Sequence, residues 1–262
     1  MRFSALQILP VDLLESYTND FANTVQVKFE ALEDSVLSID TFSFYTSVSA
    51  VFSSKIEGEP IELDSYIKHK RMGAHFLPDY TRKIDDLYDT YLFAQTNTLN
   101  PANVSHAHAL LTKHILQPAQ QGRFRKGNMF VVTPDGKIEY LAALPSQVED
   151  EMQKYYNDLR TLLTTDLSFE EVFFFASLLH LVFLKIHPFE DGNGRTARLI
   201  EKWFLAEKFG TKAWFVQSER YYYSKHQDYY NAIRALGLEY DLLDYSAALP
   251  FLRMLAGGLC IG

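Results

Sequence analysis

The chain has a single cysteine, Cys260, so an internal disulfide is excluded. That scarcity fits a reducing compartment. It has no excess of positive charge: 25 Lys and Arg face 33 Asp and Glu, a net charge of −8 over 262 residues. Binding of nucleic acid through a broadly basic surface is therefore not expected, although a local basic pocket is compatible with the total. No internal repeat or low-complexity tract is found. The N-terminal stretch MRFSALQILPVDLLESY lacks a long apolar core followed by a small-residue cleavage site, so no signal peptide is expected. The most apolar run, VFFFASLLHLVFLKI at 172–186, is short for a membrane span and carries His180 and Lys185. A buried central helix is expected there, and no membrane partner. What the chain does have is apolar mass. Apolar residues make up 47% and aromatics 15%, with 20 Phe and 16 Tyr. That predicts a thick, aromatic-packed interior in one large or two small domains.

Most of the chain reads as helix. Residues 11–34 show apolar positions at mixed helical spacing. Residues 40–57 form a helix with Phe44, Val48, Val51, Phe52 and Ile56 on one side, stopped by Gly58 and Pro60. Another helix covers 79–97. Asn100-Pro101 supplies a cap and a first-turn proline for a helix running to about Gln117. Within 122–144, MFVV and KIEYLA flank TPDG and predict a β-hairpin. Helix resumes at about 146–164. Ser168 and Glu171 make a capping box for a helix over 169–186, which Pro188 stops. A last long helix starts near Asn193 or Gly194 and ends near Gly210.

The segment IHPFEDGNGRTARLIE, 186–201, is thus a helix–loop–helix whose loop feeds a helix N-terminus. Unpaired N–H groups and the macrodipole make such an end a good anion site. Gly192 and Gly194 allow close backbone approach to a phosphate. Arg195 and Arg198 share a face of the new helix, and two guanidinium forks there suit a polyphosphate. Asp191, acidic in a cationic pocket, suits an oxygen ligand for Mg²⁺ bridging phosphates. A neutral His187 imidazole facing the loop suits a base for an attacking hydroxyl.

HPFEDGNGRTAR, from His187 to Arg198, resembles the Fic family motif H-P-F-x-[D/E]-G-N-G-R-x-x-R at every fixed position. QGRFRKGNMFVV resembles the family segment that leads into its hairpin flap. The resemblance covers roughly residues 100–235 and implies a mainly α fold: a Fic-type helical domain with one β-hairpin flap (about 122–144). An N-terminal helical region (1–99), with an inhibitory helix at about 40–58, would precede it, and a C-terminal helical tail (236–262) would follow. It further implies transfer of AMP from ATP to a Ser, Thr or Tyr hydroxyl of a target protein. His187 would be the general base, and Phe189 would anchor the loop. Asp191 would hold Mg²⁺. Gly192, Asn193 and Gly194 would cradle the phosphates, with the Asn193 side chain near the α-phosphate. Arg195 and Arg198 would hold the outer phosphates.

SSKIEG, 53–58, resembles the family's inhibitory pattern, filled by Ser53, Glu57 and Gly58. The resemblance implies that Glu57 pairs with Arg198, takes the γ-phosphate's place and holds the enzyme inhibited. YYYSKHQDYYNAI, 221–233, resembles the family's tyrosine-rich segment, in which Tyr229 or Tyr230 would flank the adenine. The target segment would dock on the flap; the protein itself is among the candidate targets, and a homodimer is compatible. ATP dependence, the absent signal and the lone cysteine point to the cytoplasm. De-AMPylation, with Glu57 orienting water, stays open beside transfer, as does transfer of another nucleotide or group. The intact Gly192-Asn193-Gly194-Arg195 run counts against simple kinase chemistry. A non-catalytic interaction protein is disfavoured by the intact His187 and Asp191. DNA binding is disfavoured because the residues after 235 are too few for a winged-helix tail. The histidines of HAH, 106–108, at spacing two on a helix, point apart and are expected at the surface rather than as a metal pair.

Overall fold

The computed structural model describes residues 2–22, 24–32, 41–73, 78–132 and 138–260, without the side chains of 41–43, 78–80 and 139. Its helices are α1 (Leu14–Phe21), α2 (Thr24–Glu30), α3 (Thr41–Ile56), α4 (Leu63–Met72), α5 (Pro78–Thr96), α6 (Pro101–Leu111), α7 (Pro145–Thr164), α8 (Phe169–Ile186), α9 (Asn193–Phe209), α10 (Ser218–Ser224), α11 (His226–Arg234), α12 (Leu249–Leu252) and α13 (Met254–Gly257). Strands β1 (Phe130–Val132) and β2 (Ile138–Leu141) form an antiparallel hairpin, β1 before β2 and both between α6 and α7. The fold is mainly α with one hairpin, as expected. The TPDG turn and the start of the helix expected from residue 40 lie outside the described residues.

Helix α8 is the axis. The Ser168 hydroxyl accepts from Glu171 N at 3.2 Å, and the Glu171 carboxylate accepts from Ser168 N at 2.8 Å, so both ends of the capping box close. Every side chain from Glu171 to Ile186 is buried. A helix apolar on all sides is stable only when neighbours surround it, and α1, α2, α7, α9, α12 and α13 do so. One apolar cluster runs from Leu9 to Leu259. The segments before, within and after the motif region therefore share one core. The apolar tail packs inward through Phe251, Leu252 and Leu255, onto α8 and α10. Among the described residues no helix is long and apolar enough to cross a membrane.

The 11–34 region, helical in its spacing, holds two short helices among its described residues. Two expectations need correction. Helix α6 starts as read, with the Asn100 side chain accepting from Asn103 N at 3.0 Å, but ends at Leu111, not near Gln117. There the Thr112 hydroxyl donates back to His108 O at 2.6 Å, and a turn follows. Helix α3 is not buried along the side that its large apolar residues mark. Val48, Val51 and Ile56 are inside, but so are Ser47, Ser49, Ser53 and Ser54, whereas Phe44 and Phe52 are only half-buried. The serines bring α3 close to α9 and carry hydroxyls to meet its cations. Ser49 accepts from the Lys202 ammonium at 2.6 Å. That ammonium also meets Glu219, whose other oxygen accepts from the Tyr91 hydroxyl at 2.6 Å. All four groups are buried. They tie α3, α5, α9 and α10 together.

Candidate active site

Helix α8 ends on His187, at φ +52°, the one non-glycine residue among those described with a left-handed backbone. That costs energy for a residue with a Cβ and must be held by its surroundings. Arg125 does much of the holding. Its Nε donates to His187 O at 2.7 Å and Nη1 to Gly127 O at 2.7 Å; Nη2 donates to Ala143 O and, at 3.3 Å, to Ile186 O. Its own backbone N donates to Pro188 O at 2.9 Å. One buried guanidinium thus clasps the last carbonyls of α8 and both ends of the hairpin.

The His187 ring is fixed from the hairpin side. Its Nδ1 lies 3.2 Å from Leu184 O and 3.2 Å from the Tyr140 hydroxyl, which itself donates to Leu184 O at 3.0 Å. A carbonyl only accepts, so Nδ1 carries the hydrogen and Nε2 keeps its lone pair. Burial pushes the imidazole down to about 4, with Arg125 adding to the effect and the Leu184 hydrogen bond opposing it. It is neutral at pH 7.

The loop beyond is held by side chains of its own. Asn193 Nδ2 donates to Phe189 O at 2.8 Å, and Asn193 Oδ1 accepts from Phe189 N at 2.9 Å. Both polar atoms of that amide are thus engaged in closing the loop, with one Nδ2 hydrogen to spare. Phe189 is buried as expected and stacks on His108, with ring centroids 3.6 Å apart. His108 is a correction. It is fully buried, not at the surface; only His106 is exposed. His108 Nε2 donates to Asp191 O at 2.8 Å, and Nδ1 accepts from Gly122 N at 2.9 Å. Burial lowers it to about 4, against the opposing hydrogen bond to Asp191. Gly192 has φ +78°, and a Cβ there would lie 2.7 Å from Thr112 and 2.9 Å from Leu111. Only glycine fits.

Helix α9 then starts with its N-terminus toward the loop. Arg195 is 6% exposed, and its Nε and Nη1 have no hydrogen-bond partner among the described residues. A buried guanidinium left so is costly, and an incoming anion would relieve it. Arg198 is the opposite case. Its Nη2 donates to Glu57 at 2.6 Å and to Ser53 O at 3.0 Å, and its Nε donates to the Ser53 hydroxyl at 2.9 Å. The last turn of α3 therefore faces the first turns of α9. Gly58, at φ +91°, ends α3 there. Gly194 makes room: a Cβ on it would lie 2.4 Å from a Glu57 oxygen. Burial works to raise the Glu57 carboxyl, but Arg198 and then Arg195 outweigh it, and the net is below the ordinary value. Glu57 is ionised, with 27% of its side chain exposed. Asp191 is exposed at the loop's outer edge, with one oxygen toward Gly192 N. Tyr229 is buried behind Arg198, covered by Tyr222 and Phe251, and offers no open ring face to a base; Tyr230 is half-buried against His226.

The structure thus gathers His187, Gly192, Asn193, Gly194, Arg195, Arg198, Ser53, Glu57 and Gly58 around one loop. Sequence reasoning missed His108, Arg125 and Tyr140. Arg125 sat in a segment already singled out, yet its carbonyl partners on Ala143, Ile186 and His187 are far away in the chain.

A profile of the Fic/DOC family matches residues 98–205. A curated protein of Nematostella vectensis named protein adenylyltransferase Fic is 31% identical over 109 residues, which is 42% of this chain and 23% of that one. A second curated relative, from Ostreid herpesvirus 1, is named ribonucleoside-diphosphate reductase small chain. It is 34% identical over 99 residues, 36% of this chain and 17% of its own length. The chain spans less than a quarter of either relative. A solved Fic family protein of Desulfovibrio desulfuricans G20 superimposes with a TM-score of 0.76 at 20% identity, over 95% of this chain and 72% of that one. The fold therefore matches over nearly the whole chain, and residues 98–205, with His187 to Arg198 inside them, match the Fic/DOC family.

Proposed function

We propose that this protein transfers AMP from ATP to a hydroxyl of a target protein and that Glu57 holds it inhibited. The observation that carries the reading is the placement of two arginines at one helix start: Arg195 buried, with Nε and Nη1 unpaired among the described residues, and Arg198 closed by Glu57. A polyphosphate satisfies the first and competes with a carboxylate for the second. The target hydroxyl loses its proton to His187 Nε2. Its oxygen bonds to the α-phosphorus, the bond from that phosphorus to the bridging oxygen breaks, and pyrophosphate leaves. The N-terminal N–H groups of α9 and the arginines stabilise the charge that builds on the phosphates. With Glu57 on Arg198 the outer phosphate is displaced and the α-phosphorus is misaligned for attack.

Among the described residues no group of three or more His, Cys, Asp or Glu is placed to hold a metal by itself. One exposed carboxylate, Asp191, nevertheless fits Mg²⁺, which commonly takes one or two carboxylates and completes its shell with phosphate oxygens and water. Bound there, Mg²⁺ would neutralise phosphate charge. The target segment would dock on the hairpin, where β2 already pairs with Glu239 and the outer edge of β1 is open among the described residues. Phe130, Val132 and Ile138 are exposed beside it.

Labelling with α-³²P-ATP and Mg²⁺ tests the reading on wild type, Glu57→Gly and Glu57→Gly/His187→Ala, each alone and with cell lysate. Weak, strong and absent labelling, in that order, is expected. Silence of Glu57→Gly would remove the support for inhibition. A second reading is removal of AMP from a modified protein, with Glu57 orienting water. The ionised, partly exposed state of Glu57 supports it, and release of label from an AMPylated target by wild type, lost in Glu57→Gly, would select it.

A further inference from the structure

Behind Arg198 lies a line of buried polar groups that the transfer scheme leaves unused. Arg198 Nη1 lies 3.4 Å from the Tyr229 hydroxyl. That hydroxyl lies 2.9 Å from His180 Nε2, and His180 Nδ1 lies 2.7 Å from Glu201. The same Glu201 oxygen accepts from the Tyr222 hydroxyl at 2.8 Å, while its other oxygen has no partner among the described residues. Tyr229 and Arg198 are 1% exposed, and His180, Tyr222 and Glu201 are fully buried.

The chemistry gives the line a direction. A guanidinium only donates, so the Tyr229 oxygen accepts from Arg198, and the same hydroxyl meets His180 Nε2. Nδ1–H of His180 donates to the Glu201 carboxylate. Burial raises Tyr229 above its ordinary range, so the hydroxyl stays protonated. Arg198 therefore faces two acids: Glu57 directly, at the end of α3 and in reach of water, and Glu201 through Tyr229 and His180.

We propose that Tyr229 is a positioning residue for Arg198, held by His180 and Glu201, which keeps the guanidinium in place when Glu57 leaves it. The inference rests on Arg198 meeting the outer phosphates of the nucleotide. The three supporting side chains come from α8, α9 and α11, packed elements that cannot withdraw with Glu57. When a phosphate replaces Glu57, Arg198 is already aimed, and no unsupported cation is left in between. Tyr229 thus acts from behind the arginine and not on the adenine, as its resemblance had implied.

The test is calorimetric binding of ATP and of AMP, each with Mg²⁺, to Glu57→Gly and to Glu57→Gly/Tyr229→Phe. ATP affinity should weaken about three- to tenfold in the double variant, the range of one lost hydrogen bond, and AMP affinity should hold. AMP has no outer phosphates, so a merely structural defect would weaken both nucleotides alike. Equal loss, or no loss, overturns the proposal. Glu57→Gly/Glu201→Gln should show the same ATP-selective loss, and it carries the test if Tyr229→Phe fails to fold. If Glu57→Gly binds neither nucleotide, the transferase reading fails, and melting then decides the inference alone. Tyr229→Phe should lower Tm by about 2–4 °C more in Glu57→Gly than in wild type, because the relay is then Arg198's remaining acidic support. Equal drops overturn it.

Discussion

At the scale of single residues, the site is built from groups whose partners restrict them to one form. His108 and His187 are both held neutral, by burial first, at about 4. The sign of the consequence follows. An unfolded histidine titrates near 6.5, so between 6.5 and 4 the unfolded chain binds protons that the folded one does not. Folding stability must therefore fall as pH drops through that window and be unaffected by these groups above it. For the fully buried His108 the slope is at most about 1.4 kcal/mol per pH unit. Chemical denaturation between pH 7 and 4.5 should show a shallower acid loss in His108→Gln than in wild type; parallel profiles would refute a neutral buried His108. The motif residues themselves were readable without coordinates, because each carries its chemistry in its type. His108 was not. Spacing on a helix says which rings point apart, not which of them meets a loop far along the chain.

At the scale of elements, the hairpin is joined to the end of α8. Tyr140 on β2 reaches the His187 ring, and Arg125 clasps the hairpin ends and the last turn of α8. Under the proposed docking, movement of the hairpin would be coupled to the orientation of the His187 ring. Tyr140→Phe should lower kcat about three- to tenfold, one lost hydrogen bond, and leave ATP affinity unchanged. Steady-state kinetics with a separate binding measurement checks this, and a loss confined to ATP affinity would contradict it. The hairpin and α8 were legible from alternation and from the capping box, both local signals. The end of α6 and the buried face of α3 were not. A turn stabilised by Thr112, and serines buried against Lys202 and Arg198, depend on partners from other elements.

At the scale of the whole molecule, α3 is a core helix and not a detachable plug. Lys202, Ser49, Glu219 and Tyr91 fasten it to α5, α9 and α10. Under the proposed inhibition, relief belongs to the Glu57 side chain at the helix end. Lys202→Met removes a buried cation and strands Glu219, so it should cost about 3–5 kcal/mol in a denaturant titration. A loss under 1 kcal/mol (about the worth of an exposed pair) would show that the cluster is not what fixes α3. By itself the sequence determined the helical class, the hairpin, the capped central helix and the order of chemistry from His187 to Arg198. These depend on periodicity, on caps and on residue types that lie close in the chain. Only the tertiary structure decided that Arg195 stays open beside the Arg198 that Glu57 closes, that Asn193 staples its own loop, and that Tyr229 stands behind the arginine. Each of those depends on which hydrogen-bonding groups, distant in sequence, are buried together, and burial is a property of the packed whole.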